Sequence, residues 1–158
     1  MNSPSELIIC RANQTDFPEI LAIQKKAFLS EAEFYQNFNI QPMTQTLEEM
    51  KTECLEKIVL KAIVDGQIVG SIRANTTDNI CMVNKLVVLP EFQKRGIGKK
   101  LLLEIETYFT DVDKFKLQTG AFSKTNIGLY TKTGYQIVGR SMFEGGVEAV
   151  VMEKVVQK

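Results

Sequence analysis

Residues 93 to 100 read QKRGIGKK, with Gly96 and Gly98 one residue apart and basic side chains at Lys94, Arg95, Lys99 and Lys100. An apolar, β-like stretch (VNKLVVL) precedes them, and an amphipathic helical stretch (KKLLLEIE) follows. Glycines at such a junction strip side chains from the first turn of a helix. The free N–H groups and positive dipole end of that turn can then meet an anion directly. A pair of glycines can also simply accommodate a helix start, and a basic turn can simply be solvated. Two standard phosphate motifs fail here: GxxxxGK followed by Ser or Thr is absent, and GxGxxG would need glycine where Leu101 stands. The geometry that remains is a bare helix N-terminus on which a diphosphate could lie, with Lys94, Arg95 and Lys99 adding charge around it.

Other chemistry is narrowed by what is missing. The chain has no histidine, which excludes Ser-His-Asp and Cys-His nucleophilic catalysis and His-containing zinc sites. Proton transfer must therefore use carboxylates, tyrosine, cysteine, lysine, water or backbone. Cys10, Cys54 and Cys81 have no metal-like spacing and read as reduced core thiols of a cytoplasmic protein. No metal is expected. Nineteen Lys and Arg balance nineteen Asp and Glu, so charge gives no case for nucleic acid or an anionic membrane. No apolar run approaches the ~20 residues of a membrane span. The start, MNSPSELIICRAN, lacks the basic and apolar regions of a signal peptide.

The elements that must position these residues follow from patterning. At 158 residues one domain, 1–158, is expected. LIICRA (7–12) reads as a strand. Thr15-Asp16 offers an N-cap and Pro18 an early-turn proline for a helix through about Leu29. The segment 30–45 reads as irregular, with Pro42 limiting any helix. A second helix spans about 46–57. Strands at 58–64 and 67–74 flank Asp65-Gly66, a strong hairpin signal. Asp78-Asn79 turns into a strand at 80–89 that Pro90 ends. Helix 97–110, strand 115–121, a short helix at 126–132 and strands at 135–143 and 147–156 complete the order. Such an order is mixed α/β: a mixed sheet of about seven strands flanked by about four helices.

With these elements in place, LVVLPEFQKRGIGKKLL is similar to the signature of the GNAT superfamily of acetyl-CoA-dependent N-acetyltransferases. That signature is an apolar strand, a proline-containing turn, Gln or Arg, two residues, Gly, one residue, Gly or Ala, then a helix. SKTNIGLYTKTGY (123–135) resembles the family's later segment, at the expected separation. The resemblance extends over the chain. It implies a mostly antiparallel sheet with a central splayed parallel pair, acetyl-CoA as cosubstrate and an amine as acceptor.

The resemblance also implies roles. The pantetheine arm would enter the splay and bond to the backbone of Leu86, Val87 and Val88, and an N–H near Val88 would polarise the thioester carbonyl. The diphosphate would rest on the amides of Lys94, Arg95, Gly96, Ile97, Gly98 and Lys99, beside Gln93. Tyr130 matches the family tyrosine that donates a proton to the departing thiolate; its other reading is a half-buried core tyrosine. Ser123 and Asn126 occupy cofactor-holding positions. Asn84 and Gln118 stand where relatives often carry a glutamate base, and neither amide can usefully accept a proton. Glu33, Glu144 and Glu148 are unranked alternatives. Phe34, Tyr35, Phe38 and Phe143 could line an acceptor pocket or serve as core. The acceptor is a small molecule or peptide amine, and a homodimer is compatible with the reading. A non-catalytic acetyl-CoA sensor of the same fold and a plain interaction domain are the rival classes, separated by turnover and by CoA binding.

Overall fold

In the computed structural model, residues 6–143 and 145–157 are described; Glu144, one of the carboxylates considered above, lies outside them. Strands β1 (Leu7–Arg11), β2 (Ile58–Val64), β3 (Gln67–Thr77), β4 (Ile80–Val88), β5 (Lys114–Gly120), β6 (Gln136–Met142) and β7 (Glu148–Val155) form one sheet in the order β1-β2-β3-β4-β5-β7-β6. Every pairing is antiparallel except β4 with β5. The helices are α1 (Phe17–Phe34), α2 (Gln41–Thr44), α3 (Leu47–Glu53), α4 (Ile97–Glu106) and α5 (Lys124–Lys132).

The two hairpin turns take the left-handed geometry that two-residue loops demand. Asp65 and Gly66 have φ of 50° and 76°, and Asp78 and Asn79 have φ of 51° and 63°. Residues 68 to 74 of β3 are all buried, as a strand covered on both faces must be. Arg73 reaches Gln24 of α1 and Glu53 of α3, whereas a Cβ on Gly70 would meet Leu101 of α4. Those residues differ by an odd number along the strand, so α1 with α3 and α4 cover opposite faces.

Three sequence expectations are corrected here. First, α1 does not stop near Leu29 but continues to Phe34, because Ser30, Glu31, Ala32 and Glu33 include no breaker and Ala32 is fully buried. Second, 41–44 forms the one-turn helix α2 rather than irregular chain; Pro42 sits in its first turn, where the missing N–H has no helical partner to lose. Among the described residues the α-helices number five, in line with the mixed α/β fold of about four helices expected from the sequence. Third, Asn13 rather than Thr15 caps the entry. Its side chain accepts from Thr15 N–H at 3.0 Å, and Asp16 accepts from Asn13 N–H at 3.0 Å.

The sheet carries a defect where it matters. Ser71 pairs with Val87 but Arg73 pairs with Asn84, so Ile72 faces both Lys85 and Leu86. Lys85 takes φ of 53° to make this bulge. β4 and β5 pair only from Ile80 to Met82 against Lys114 to Lys116. Beyond that point the parallel pair is open.

Candidate active site

β4 ends at Val88, and a 3-10 turn over Pro90–Phe92 turns the chain toward α4. The Gln93 side chain fixes this turn by donating from Nε2 to the Val88 carbonyl at 3.0 Å. Lys94 and Gly96 then take φ of 64° and 81°, which only glycine adopts without cost. Lys100 N–H makes the first helical bond, to Gly96 O at 3.1 Å. Among the described residues, the N–H groups of Lys94, Arg95, Gly96, Ile97, Gly98 and Lys99 donate to no protein acceptor. Buried Ile97 anchors the turn while its neighbours Lys94, Arg95, Gly96 and Lys99 stay exposed. These aligned amides form a preorganised anion cradle at the positive end of α4.

The two glycines differ. A Cβ on Gly96 would meet nothing within 4 Å, so its requirement is conformational. A Cβ on Gly98 would touch Leu129 at 3.4 Å and Val88 at 3.9 Å. Those are ordinary contact distances, so the packing of α4 against α5 and the end of β4 does not by itself demand glycine at 98. Arg95 stacks its guanidinium over Phe92 at 5.0 Å from the ring centroid.

The open edge of β4 leads from this cradle into the sheet. Leu89 N–H donates to Val69 O of β3 at 2.8 Å, so by the alternation of a strand Val87 also turns its N–H and C=O toward β3. Leu86 and Val88 turn theirs toward the splay. Of the three backbone contacts expected for a pantetheine arm, those of Leu86 and Val88 face the opening. That of Val87 is a correction: its groups belong to the β3 ladder, and its side chain is core.

The splay opens into a cavity of about 440 Å³. Met82 to Leu86 of β4 and Leu117 to Gly120 of β5 form its walls. Phe28 and Glu31 of α1, Tyr35 just past its end, and Asn126 and Tyr130 of α5 also line it. Both amides flagged in the sequence, Asn84 and Gln118, are exposed on this wall. Tyr130 is 7% exposed and packs edge-on to Tyr135 at 5.9 Å. Burial, with Glu31 nearby, pushes its phenol above the ordinary value of 10. Its proton stays in place at working pH, and handing it to a thiolate is more uphill than for a free phenol. Ser123 precedes α5 without capping it. Its hydroxyl sits beside Glu31 rather than on the cavity wall.

Glu31 is the residue that sequence reasoning missed. Among the described residues it is the one carboxylate lining the cavity. Its Oε1 is buried without a hydrogen-bond partner. Burial raises its carboxyl above the ordinary 4.5, and the Ser123 hydroxyl offsets this only in part. Glu31 falls on the inward stripe of α1, three residues after Phe28 and four after Ala27. Extending the helical periodicity past Leu29 would have found it. Glu33 and Glu148 do not line the cavity. Of the four aromatics, Tyr35 and Phe143 line it, whereas Phe34 and Phe38 are 66% and 54% exposed and serve neither role.

Beneath the cavity lies a buried polar network. Arg73, 1% exposed, donates to both Glu53 oxygens at 2.7 and 3.1 Å and to Gln24 and Gln45 at 3.0 Å. Lys57 and Lys85 each reach Glu53 at 3.1 Å. Gln24 donates to the Pro42 carbonyl at 2.9 Å, which ties α2 to α1. Burial alone would raise the Glu53 carboxyl, but the Arg73 and Lys85 charges and the Gln45 amide hold it far below the usual range. Lys85 is depressed because burial and the Arg73 charge outweigh a carboxylate already shared among three cations. The network thus fixes both the bulge residue and the α2 wall of the cavity. The buried Cys81 thiol is pushed up to about 12 by burial and Glu106, so it is inert at neutral pH. Among the described residues no group of three His, Cys, Asp or Glu is placed to hold a metal, and no helix is long and apolar enough to cross a membrane.

Comparison with known proteins gives consistent findings. A family profile described as the acetyltransferase (GNAT) domain matches residues 22–156. The chain is similar to the uncharacterized protein YyaT of Bacillus subtilis (strain 168), 27% identical over 154 residues that cover 92% of this chain and 93% of that protein. Its fold matches the PaiA N-acetyltransferase of Thermoplasma acidophilum, solved in complex with coenzyme A, with TM-score 0.76 at 18% identity, covering 96% of this chain and 99% of that one. It also matches the ribosomal-protein-S18-alanine N-acetyltransferase of Escherichia coli, with TM-score 0.80 at 15% identity, covering 97% and 96%. At these identities the two structures speak for the fold.

Proposed function

The chain belongs to the GNAT acetyltransferase family, and on that premise we propose that it moves the acetyl group of acetyl-CoA directly to a primary amine. The observation that carries this reading is the run of unpartnered amides at residues 94 to 99, continuous with the open edge of β4 and ending in a cavity beside Tyr130. A diphosphate is the anion that such a row of N–H groups suits. The structural relative bound to coenzyme A supports the same assignment.

Acetyl-CoA supplies an activated acetyl thioester, and the chain's own residues do the rest. The amides of 94–99 hold the diphosphate, with Lys94 and Lys99 adding charge. The outward N–H groups of Leu86 and Val88 receive the arm as an added strand would. An N–H near Val88 is placed to stabilise charge that develops on the thioester oxygen. Asn126 lines the path from α5. Tyr130 presents a retained proton toward the sulfur. The acceptor amine enters on the side framed by α1, α2, Phe143 and Val147, since Tyr35, Pro42, Phe143 and Val147 line the cavity there.

The test is turnover. Purified protein with acetyl-CoA and a panel of primary amines should release free thiol in step with an amine product 42 Da heavier, as one acetyl replaces one hydrogen. Calorimetric binding of acetyl-CoA without turnover of any amine would reassign the chain as a sensor. Absence of CoA binding would remove the reading altogether.

A further inference from the structure

We propose that Glu31 receives the ammonium of the acceptor and removes its proton, and that this ammonium is borne on an apolar body. The inference rests on the acetyl-transfer reading and adds to it the missing base and the class of acceptor.

A buried carboxylate oxygen without a donor loses the hydration it had in the unfolded chain and gains nothing in return. Glu31 Oε1 is in that position on the wall of the cavity. The donor it lacks is one that a ligand in the cavity can bring. Lys85, Tyr130 and Tyr35 share the cavity with Glu31. Lys85 of β4 is held by Glu53 at 3.1 Å, so it does not neutralise Glu31. Tyr130 of α5 lines the same space and keeps its proton, since burial raises its phenol. Ser123 offers one hydroxyl. An ammonium entering the cavity therefore finds an unneutralised carboxylate. Around it, Phe28, Ile40, Leu117, Phe143 and Val147 offer apolar wall, which suits an aromatic or aliphatic substituent and disfavours a polycation.

The same carboxylate completes the proton balance. Glu31 takes one proton from the ammonium, which frees the nitrogen lone pair. The N–C bond forms at the thioester carbonyl, and the C–S bond breaks with its electron pair on sulfur. Tyr130 gives its proton to sulfur and regains one from the nitrogen as the amide forms. Glu31 passes its proton to solvent. Burial suits the task, since a carboxyl held above its ordinary value is a better proton acceptor than an exposed one.

The experiment uses the full chain saturated with CoA, and phenethylamine as the probe. Carbon-13 NMR of labelled glutamate should give a Glu31 midpoint above 4.5, which falls by about one pH unit or more on adding the amine, as an opposite charge requires. Glu31→Gln should bind phenethylamine at least about tenfold more weakly and lower kcat/KM about 10²- to 10⁴-fold. Acetyl-CoA affinity should stay within about twofold, and Glu31→Asp should recover part of the loss. The Glu31→Gln kcat/KM should also lose the inflection that the wild type shows at the NMR midpoint. A Glu31 midpoint that ignores phenethylamine, or a Glu31→Gln enzyme with wild-type kcat/KM, would overturn the inference while leaving acetyl transfer standing. A wild-type protein that fails to bind acetyl-CoA in the same calorimeter would overturn acetyl transfer and this inference together.

Discussion

Replacing Glu53 by glutamine removes one negative charge from a site that holds Arg73, Lys57 and Lys85. Shape is kept, but the new amide nitrogen is a donor among donors, so the bonds from Arg73 Nε and Lys57, or those from Arg73, Lys85 and Gln45, are lost along with the charge. Arg73 is 1% exposed and loses a bidentate partner at 2.7 and 3.1 Å. Breaking a fully buried pair by removing one partner costs about 3–5 kcal/mol. Two features lower the figure here: Glu53 and the lysines keep 12–18% of their side-chain surface exposed, and Lys85, already depressed, can shed its proton. We therefore expect about 3 kcal/mol, which lowers Tm by about 6–12 °C in a chain of this size. The pH dependence gives the sign. Glu53 is depressed in the folded state, so its stabilisation is full above the ordinary glutamate value of 4.5 and fades as pH falls through it toward the folded value. The difference between wild type and Glu53→Gln in urea unfolding should accordingly be largest near pH 7 and shrink between about pH 5 and pH 3. A loss below about 1 kcal/mol at pH 7, or one independent of pH, would refute the reasoning that this carboxylate holds the network together.

Other perturbations address the site itself. Tyr130→Phe keeps the ring and removes the hydroxyl, so kcat should fall about 10²- to 10⁴-fold with acetyl-CoA affinity nearly unchanged; full kcat would remove the acid role. Gly96→Ala meets no atom within 4 Å but must adopt φ near 81°, so it should cost about 1–2 kcal/mol in urea unfolding and weaken CoA binding by calorimetry. A Cβ at Gly120 would lie 2.6 Å from the Tyr35 hydroxyl. Because that is the end of a side chain, Gly120→Ala should turn Tyr35 aside at about 0.5–1.5 kcal/mol and shift the acceptor KM more than the acetyl-CoA KM.

The parts of the fold that depend on local chemistry were legible in the sequence. Asp65-Gly66 and Asp78-Asn79 forced their hairpins, Pro90 ended β4, and the motif placed the cradle at the start of α4. Parity within β4 was not legible. Whether Val87 or its neighbours face the splay depends on the bulge at Lys85, which follows from pairing with β3 and leaves no mark in the local pattern. The Arg73 network was invisible for a similar reason, since its partners lie 20 to 49 residues away. Glu31 was missed for a different reason. Pro42 and the aromatics of 30–45 suggest irregular chain, while the inward stripe of α1 runs on through Glu31 and Ala32 to the helix end at Phe34. The signal is present in the period, but Pro42 beyond it masks where the helix ends.

The central claim is that the amides of 94–99 and the open edge of β4 form one continuous acetyl-CoA site. The structure of the acetyl-CoA complex tests it most directly. The diphosphate oxygens should stand about 2.7–3.2 Å from the backbone nitrogens of that turn. The arm should run along Leu86 and Val88, with the acetyl group facing Tyr130 and Glu31. Acetyl-CoA bound elsewhere, with those amides left to water, would contradict the account.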